Sequence, residues 1–107
     1  KENCPDLRNT KVPTLINNLN TFGCKICVSD SYANIIEAKK LYNINLIEKS
    51  SLSNLDVIIL AVAHREYKKI KKDEWLKLLN KKAIVIDVKS ILAKNFFDGT
   101  DINHWRL

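Results

Sequence analysis

An α/β fold with a mainly parallel sheet is predicted by three features of this 107-residue sequence. Val57–Ala63 is an unbroken β-branched and aliphatic run, and Ala83–Ile86 is a second run that stops at Asp87. Between them Trp75, Leu76, Leu78 and Leu79 give a helix an apolar face behind Asp73, a residue suited to capping its start. Strands that are apolar on both faces belong in a parallel sheet covered by helices, because one uncovered face would leave half of those side chains in water. Strand, helix and strand then form a β-α-β unit that should cross over right-handed. The expected architecture is one three-layer, Rossmann-like domain over residues 1–107.

The remaining elements follow in chain order. Val12, Leu15, Ile16 and Leu19 keep helical spacing, Asn9 or Thr10 can cap that helix, Pro13 falls in its tolerant first turn, and Gly23 can end it in a left-handed turn. A strand is expected after Gly23, from Cys24 through Val28, with Ser29, Asp30 and Ser31 as its exit, then a helix over about Ala33–Leu41, broken at Asn43. Ile44–Ile47 reads as a short strand and Leu52–Leu55 as a short helical turn. No low-complexity linker or internal repeat interrupts the pattern.

Composition narrows the function classes. A 46% hydrophobic content supports a single core, and no stretch reaches the roughly 18 apolar residues of a membrane helix. The absence of methionine marks position 1 as something other than a native start, so the sequence is expected to be a piece of a longer protein. A net charge of +6 suits phosphate-bearing ligands, nucleic acid or an acidic surface. The densest basic run, Lys68-Lys69-Ile70-Lys71-Lys72, lies between Tyr67 and Trp75, but such a run between core elements ordinarily forms a solvated turn, and nucleic acid is disfavoured. Cys4, Cys24 and Cys27 are odd in number, which argues against a disulfide framework. Cys24 and Cys27 fall in the expected strand, so they read as small buried hydrophobes rather than a redox or metal pair.

In parallel sheets ligands bind beyond the carboxyl ends of the strands, which singles out the segments after Val28, Ala63 and Ile86. Asp30 can accept from a ribose hydroxyl or cap the next helix, and capping is the more ordinary role. His64 has no evident carboxylate or nucleophile beside it in sequence, so a loop hydrogen bond is favoured over a role as base. Lys89 is the better candidate, since a cation just past a buried strand meets an anion without crossing the core. Lys1, Asp6 and Arg8 place further charge on a segment stiffened by Pro5. Gly23 and Gly99 are the only glycines, so no glycine-rich phosphate loop exists and a self-contained dinucleotide site is not expected. No catalytic residue or metal cluster is assigned.

Four segments together carry a family resemblance: Lys1-Glu2-Asn3-Cys4-Pro5-Asp6-Leu7-Arg8-Asn9-Thr10-Lys11-Val12, Ala61-Val62-Ala63-His64-Arg65-Glu66-Tyr67, Ile86-Asp87-Val88-Lys89-Ser90-Ile91-Leu92 and the closing Trp105-Arg106-Leu107. In that order they resemble the C-terminal, UDP-binding domain of the UDP-glucose/GDP-mannose dehydrogenase family. The opening string is most similar to the branch that oxidises UDP-N-acetylglucosamine or UDP-N-acetylgalactosamine to the uronic acid for bacterial surface polysaccharides.

The resemblance implies a cytoplasmic bacterial enzyme with an N-terminal NAD-binding domain, a central helix for dimerisation, and this domain closing over the UDP-sugar. Its reaction takes a sugar C6 alcohol to the carboxylate with two NAD⁺, through a cysteine thioester whose cysteine lies outside this segment. By the same resemblance Lys1 contacts the UDP-sugar, and Lys89 with Ser90 forms the substrate loop, where many relatives carry two successive arginines. Arg8 reaches the NAD side with Asp6 as its companion, and Ser29 departs from the aromatic residue common in relatives. Charge-assisted contacts from Lys1 and Lys89 to a diphosphate are worth about 1.5–3 kcal/mol each, so the segment alone should hold UDP weakly. The strand that precedes the position of Lys1 in relatives is absent here. Association between copies, or a rearranged sheet, is therefore expected. A basic nucleotide- or nucleic-acid-binding module and a plain oligomerisation domain remain as alternatives.

Overall fold

In the computed structural model, which describes residues 1–107, contacts divide the chain into two units, Lys1 with Asn3–Ser51 and Glu2 with Leu52–Leu107. The second unit holds both apolar runs. They form β1 (Leu55–Leu60) and β2 (Leu79–Asp87), joined by two short helices, α3 (Arg65–Lys68) and α4 (Lys72–Leu78). With β3 (Asn103–Arg106) they make a three-stranded sheet in the order β1-β2-β3, and both pairings are parallel. The α/β class and the parallel sheet expected from the sequence are present.

Three boundaries move, each for a local reason. Helix α4 starts after Lys71 rather than at a cap on Asp73, which instead sits with Glu74 in the first turn, where an acidic side chain complements the helix dipole. Leu79 leaves the helix with extended backbone and is the first residue of β2, so it enters the core from the strand. Ala61–Ala63 lie beyond β1, and Ala63 is buried there without strand pairing.

The core packs on one face of β2. Ala83 and Val85 are buried against Leu60, Ile70, Trp75, Leu92 and Phe97. The opposite row is less covered than two apolar faces lead one to expect, with Val57 44% exposed and Trp105 56% exposed. β3 was not expected. Its partner positions are Ile84 to Asn103, Val85 to His104, Ile86 to Trp105 and Asp87 to Arg106. Val88–Ile102 reaches it through successive turns closed by Phe96 N–H to Ala93, Asp98 N–H to Asn95 and Thr100 N–H to Phe97.

The first unit is helical and lightly packed. Helix α1 (Val12–Thr21) has Pro13 at its start, and Thr10 Oγ1 accepts from Val12 N–H at 3.3 Å. None of its residues is fully buried. Helix α2 (Ile35–Tyr42) is capped by Asn34, whose Oδ1 accepts from Glu37 N–H at 2.9 Å, and it ends on left-handed Asn43. The strands expected at Cys24–Val28 and Ile44–Ile47 reduce to a single parallel bridge between Val28 and Leu46. The turn expected at Leu52–Leu55 is a 3-10 turn at Lys49–Ser51. The Val28–Leu46 bridge stands alone in the first unit. No helix is long and apolar enough to cross a membrane.

Candidate functional site

The carboxyl end of β2 is built around Asp87. Period-two alternation puts it on the same inward face as Ala83 and Val85, and its side chain is completely buried. A buried carboxylate must find donors, and the turn that follows supplies them. Oδ1 accepts from Ile91 N–H and Oδ2 from Leu92 N–H, each at 2.9 Å. His104 Nε2, on the neighbouring strand, lies 3.1 Å from Oδ2, and its side chain is 6% exposed. The backbone carbonyl of Asp87 accepts from Ser90 N–H and Leu107 N–H, both at 3.2 Å, while Val88 N–H donates to Leu60 at 3.1 Å.

These bonds fix a tight turn with Lys89 exposed on it. Ser90 takes a left-handed φ of 52°, uncommon for a residue with a side chain, and its hydroxyl donates to the Leu107 carbonyl at 2.7 Å. The Ser90 proton is therefore committed to the chain, and only its oxygen lone pairs remain available to a ligand. Sequence reasoning placed Lys89 in this loop but assigned no part to Asp87 or His104. The available signal for Asp87 was a carboxylate continuing the inward period of an apolar strand.

His64, at the start of α3, is 1% exposed and its ring lies 5.3 Å from that of Tyr67. That burial suits a packing role in the unit better than proton transfer to a diffusible substrate. The basic run is broken by buried Ile70, and Lys72 donates to the Asp98 carbonyl at 2.6 Å, so it is not one continuous cationic stripe.

In the first unit a single carboxylate organises the opening segment. Asp6 accepts from Arg8 Nε at 3.0 Å and Arg8 Nη2 at 2.8 Å, a two-point guanidinium contact, and from Arg8 N–H at 2.9 Å. Lys1 Nζ joins at 2.7 Å. The Arg8 hydrogen bonds, and then that of Lys1, hold the Asp6 carboxyl well below the usual carboxylate range, and Asp6 in turn raises the Arg8 guanidinium. Both cations stay open to solvent, with side chains 51% exposed for Lys1 and 77% for Arg8. The structure thus brings Lys1, Asp6 and Arg8 together and places Lys89 and Ser90 together.

Asp30 caps a turn rather than α2 itself: its Oδ1 accepts from Tyr32 N–H and Ala33 N–H, both at 2.8 Å. Cys24 and Cys27 are exposed free thiols outside any strand, which corrects their reading as buried hydrophobes. The alternation argument required a strand that forms only at Val28. No group of three or more His, Cys, Asp or Glu side chains is placed to hold a metal ion.

Comparison with known proteins gives a consistent result. Residues 1–94 match the UDP-glucose/GDP-mannose dehydrogenase family, UDP binding domain. The chain is 44% identical over 107 residues to Protein CapL of Staphylococcus aureus, covering all of this chain and 25% of that protein. It is 36% identical over 98 residues to a UDP-N-acetyl-D-glucosamine 6-dehydrogenase of Pseudomonas aeruginosa, covering 92% of this chain and 23% of the relative. A protein of the same name from Salmonella typhi is 30% identical over 92 residues, covering 86% and 22%. The chain therefore spans about a quarter of the length of these relatives.

Proposed function

The chain belongs to the UDP-glucose/GDP-mannose dehydrogenase family as its UDP-binding domain, and from that premise we propose that it holds the nucleotide of a UDP-N-acetylhexosamine, or of UDP-glucose, within an NAD-dependent 6-dehydrogenase of bacterial surface polysaccharide synthesis. The observation that carries the reading is the Asp87–Leu92 turn. It presents the exposed ammonium of Lys89 on backbone held by Asp87, at the carboxyl end of the central strand of a parallel sheet. A diphosphate gains most from a cation whose backbone needs no further ordering on binding.

Each assigned residue has a physical task in this reading. Lys89 neutralises diphosphate charge, and Ser90 contributes its oxygen lone pairs. In the first unit the Lys1 ammonium, assigned to the UDP-sugar, is shared with Asp6, so its attraction for a ligand is tempered by an existing partner. Arg8, held by Asp6, is the residue this reading assigns to the cofactor. For NAD⁺ this reading offers the exposed Arg8 guanidinium and no glycine cradle, since a Cβ added at Gly23 or Gly99 would meet nothing within 4 Å. The fit is to a peripheral contact, and the cofactor would supply hydride acceptance for oxidation of the C6 alcohol. No side chain of this domain is assigned to the chemical step.

Backbone-amide NMR of the 107-residue chain titrated with UDP, UMP, UDP-N-acetylglucosamine and NAD⁺ tests the proposal. UDP compounds should shift the amides of Val88–Leu92, and Lys89→Ala should weaken binding by about 10- to 150-fold, the equivalent of one charge-assisted hydrogen bond. Equal affinity of Lys89→Ala and the wild type would refute it.

A further inference from the structure

We infer that His104 is a positioning residue for the nucleotide loop, acting through Asp87 to hold the backbone that carries Lys89. The inference rests on the proposed function and extends it to a strand outside the family match, which ends at residue 94. Asp87 has two carboxylate oxygens and three donors around them: two turn amides and His104 Nε2. With the carboxylate as acceptor, the imidazole must donate from Nε2, so the tautomer is set by this contact. The other ring nitrogen, Nδ1, is buried with no hydrogen-bond partner. The ring's polar interaction is therefore directed at Asp87 alone, while its edge packs on Phe97 at 5.4 Å and 83°.

That geometry has a mechanical consequence. Oδ2 is shared between Leu92 N–H and His104, so the imidazole limits the rotation of the carboxylate that both turn amides need. The backbone reinforces the same link, because Leu107 N–H donates to Asp87 and Ser90 Oγ donates to the Leu107 carbonyl. β3 and the residue after it thus brace the turn. Without His104 the carboxylate would keep its place in the strand but lose a restraint on its orientation, and Lys89 would meet an anion from a broader set of backbone conformations.

The test uses the full 107-residue chain and two substitutions. His104→Phe keeps an aromatic ring against Phe97 and removes the donor, whereas His104→Gln restores an N–H at a similar reach. His104→Phe should bind UDP about tenfold more weakly, the equivalent of about 1.4 kcal/mol, with faster hydrogen exchange at the Ile91 and Leu92 amides. His104→Gln should recover both to within about twofold, which a purely structural packing role would not produce. In the wild type the His104 Nε2–H resonance should also move on UDP addition, a readout that survives if His104→Phe fails to fold. Wild-type affinity and exchange in His104→Phe, or an unmoved Nε2–H resonance in UDP-bound wild type, would overturn the positioning role alone. A wild-type chain that ignores UDP would overturn the proposed function, while the exchange rates at Ile91 and Leu92 would still decide whether His104 braces the turn.

Discussion

Replacing Asp87 by alanine removes the acceptor of three donors at once, which makes it a demanding test of the turn's construction. The Leu92 amide is buried, the Ile91 amide is partly buried, and the His104 side chain is 6% exposed, so water replaces the lost acceptor poorly. Leaving a buried donor unsatisfied costs about 1–3 kcal/mol, so with the partly buried amide rehydrated the remaining two donors cost about 2–6 kcal/mol. A small domain is stable by only about 5–15 kcal/mol, so Asp87→Ala should fold marginally. Asp87→Asn keeps one acceptor oxygen but turns an amide N–H₂ toward a donor, and its loss should be intermediate. Urea unfolding followed by circular dichroism measures both, with an unchanged slope showing that the folded state is otherwise retained. A loss below about 1 kcal/mol for Asp87→Ala would refute the view that this carboxylate holds the turn.

Three further outcomes follow from other parts of the molecule. Asp6 is held below its ordinary value of 3.8 by the Arg8 hydrogen bonds and then by Lys1, so its stabilising contribution is fully present above that value and is lost as pH falls below it. Carboxyl-carbon NMR should find Asp6 still ionised below pH 3.8 and titrating higher in Arg8→Ala. Asn34→Ala should cost about 1 kcal/mol, the usual value of an N-cap, and lower the helical protection of Glu37–Lys39 in hydrogen exchange. With Phe22 82%, Ile36 77% and Trp105 56% exposed, sedimentation should show concentration-dependent association, and a strict monomer would contradict that expectation.

What the sequence revealed, and what it hid, divides along packing. β1, β2 and α4 were legible because Val57–Leu60, Ala83–Ile86 and the Trp75 face combine local propensity with burial in one core. Helix α1 was legible from spacing alone, although it buries little. β3 was not, because Asn103, Trp105 and Arg106 are exposed and only His104 turns inward, which leaves no apolar period to read. The expected strand at Cys24–Val28 failed for the converse reason: Cys24, Lys25 and Cys27 are exposed, and pairing survives only where Val28 meets Leu46. At the candidate site Lys89 was visible as a cation after a buried strand. The carboxylate that orders its loop was hidden in plain order, because its donors come from residues 91, 92 and 104.

The most direct test of UDP recognition is phosphorus NMR of UDP mixed with the 107-residue chain, compared with Lys89→Ala. The account predicts that both diphosphate resonances shift with the wild type, with an affinity on the order of millimolar, and that the shift shrinks at least tenfold in the variant. Diphosphate resonances that stay unmoved by the wild type, or that move equally with Lys89→Ala, would contradict it.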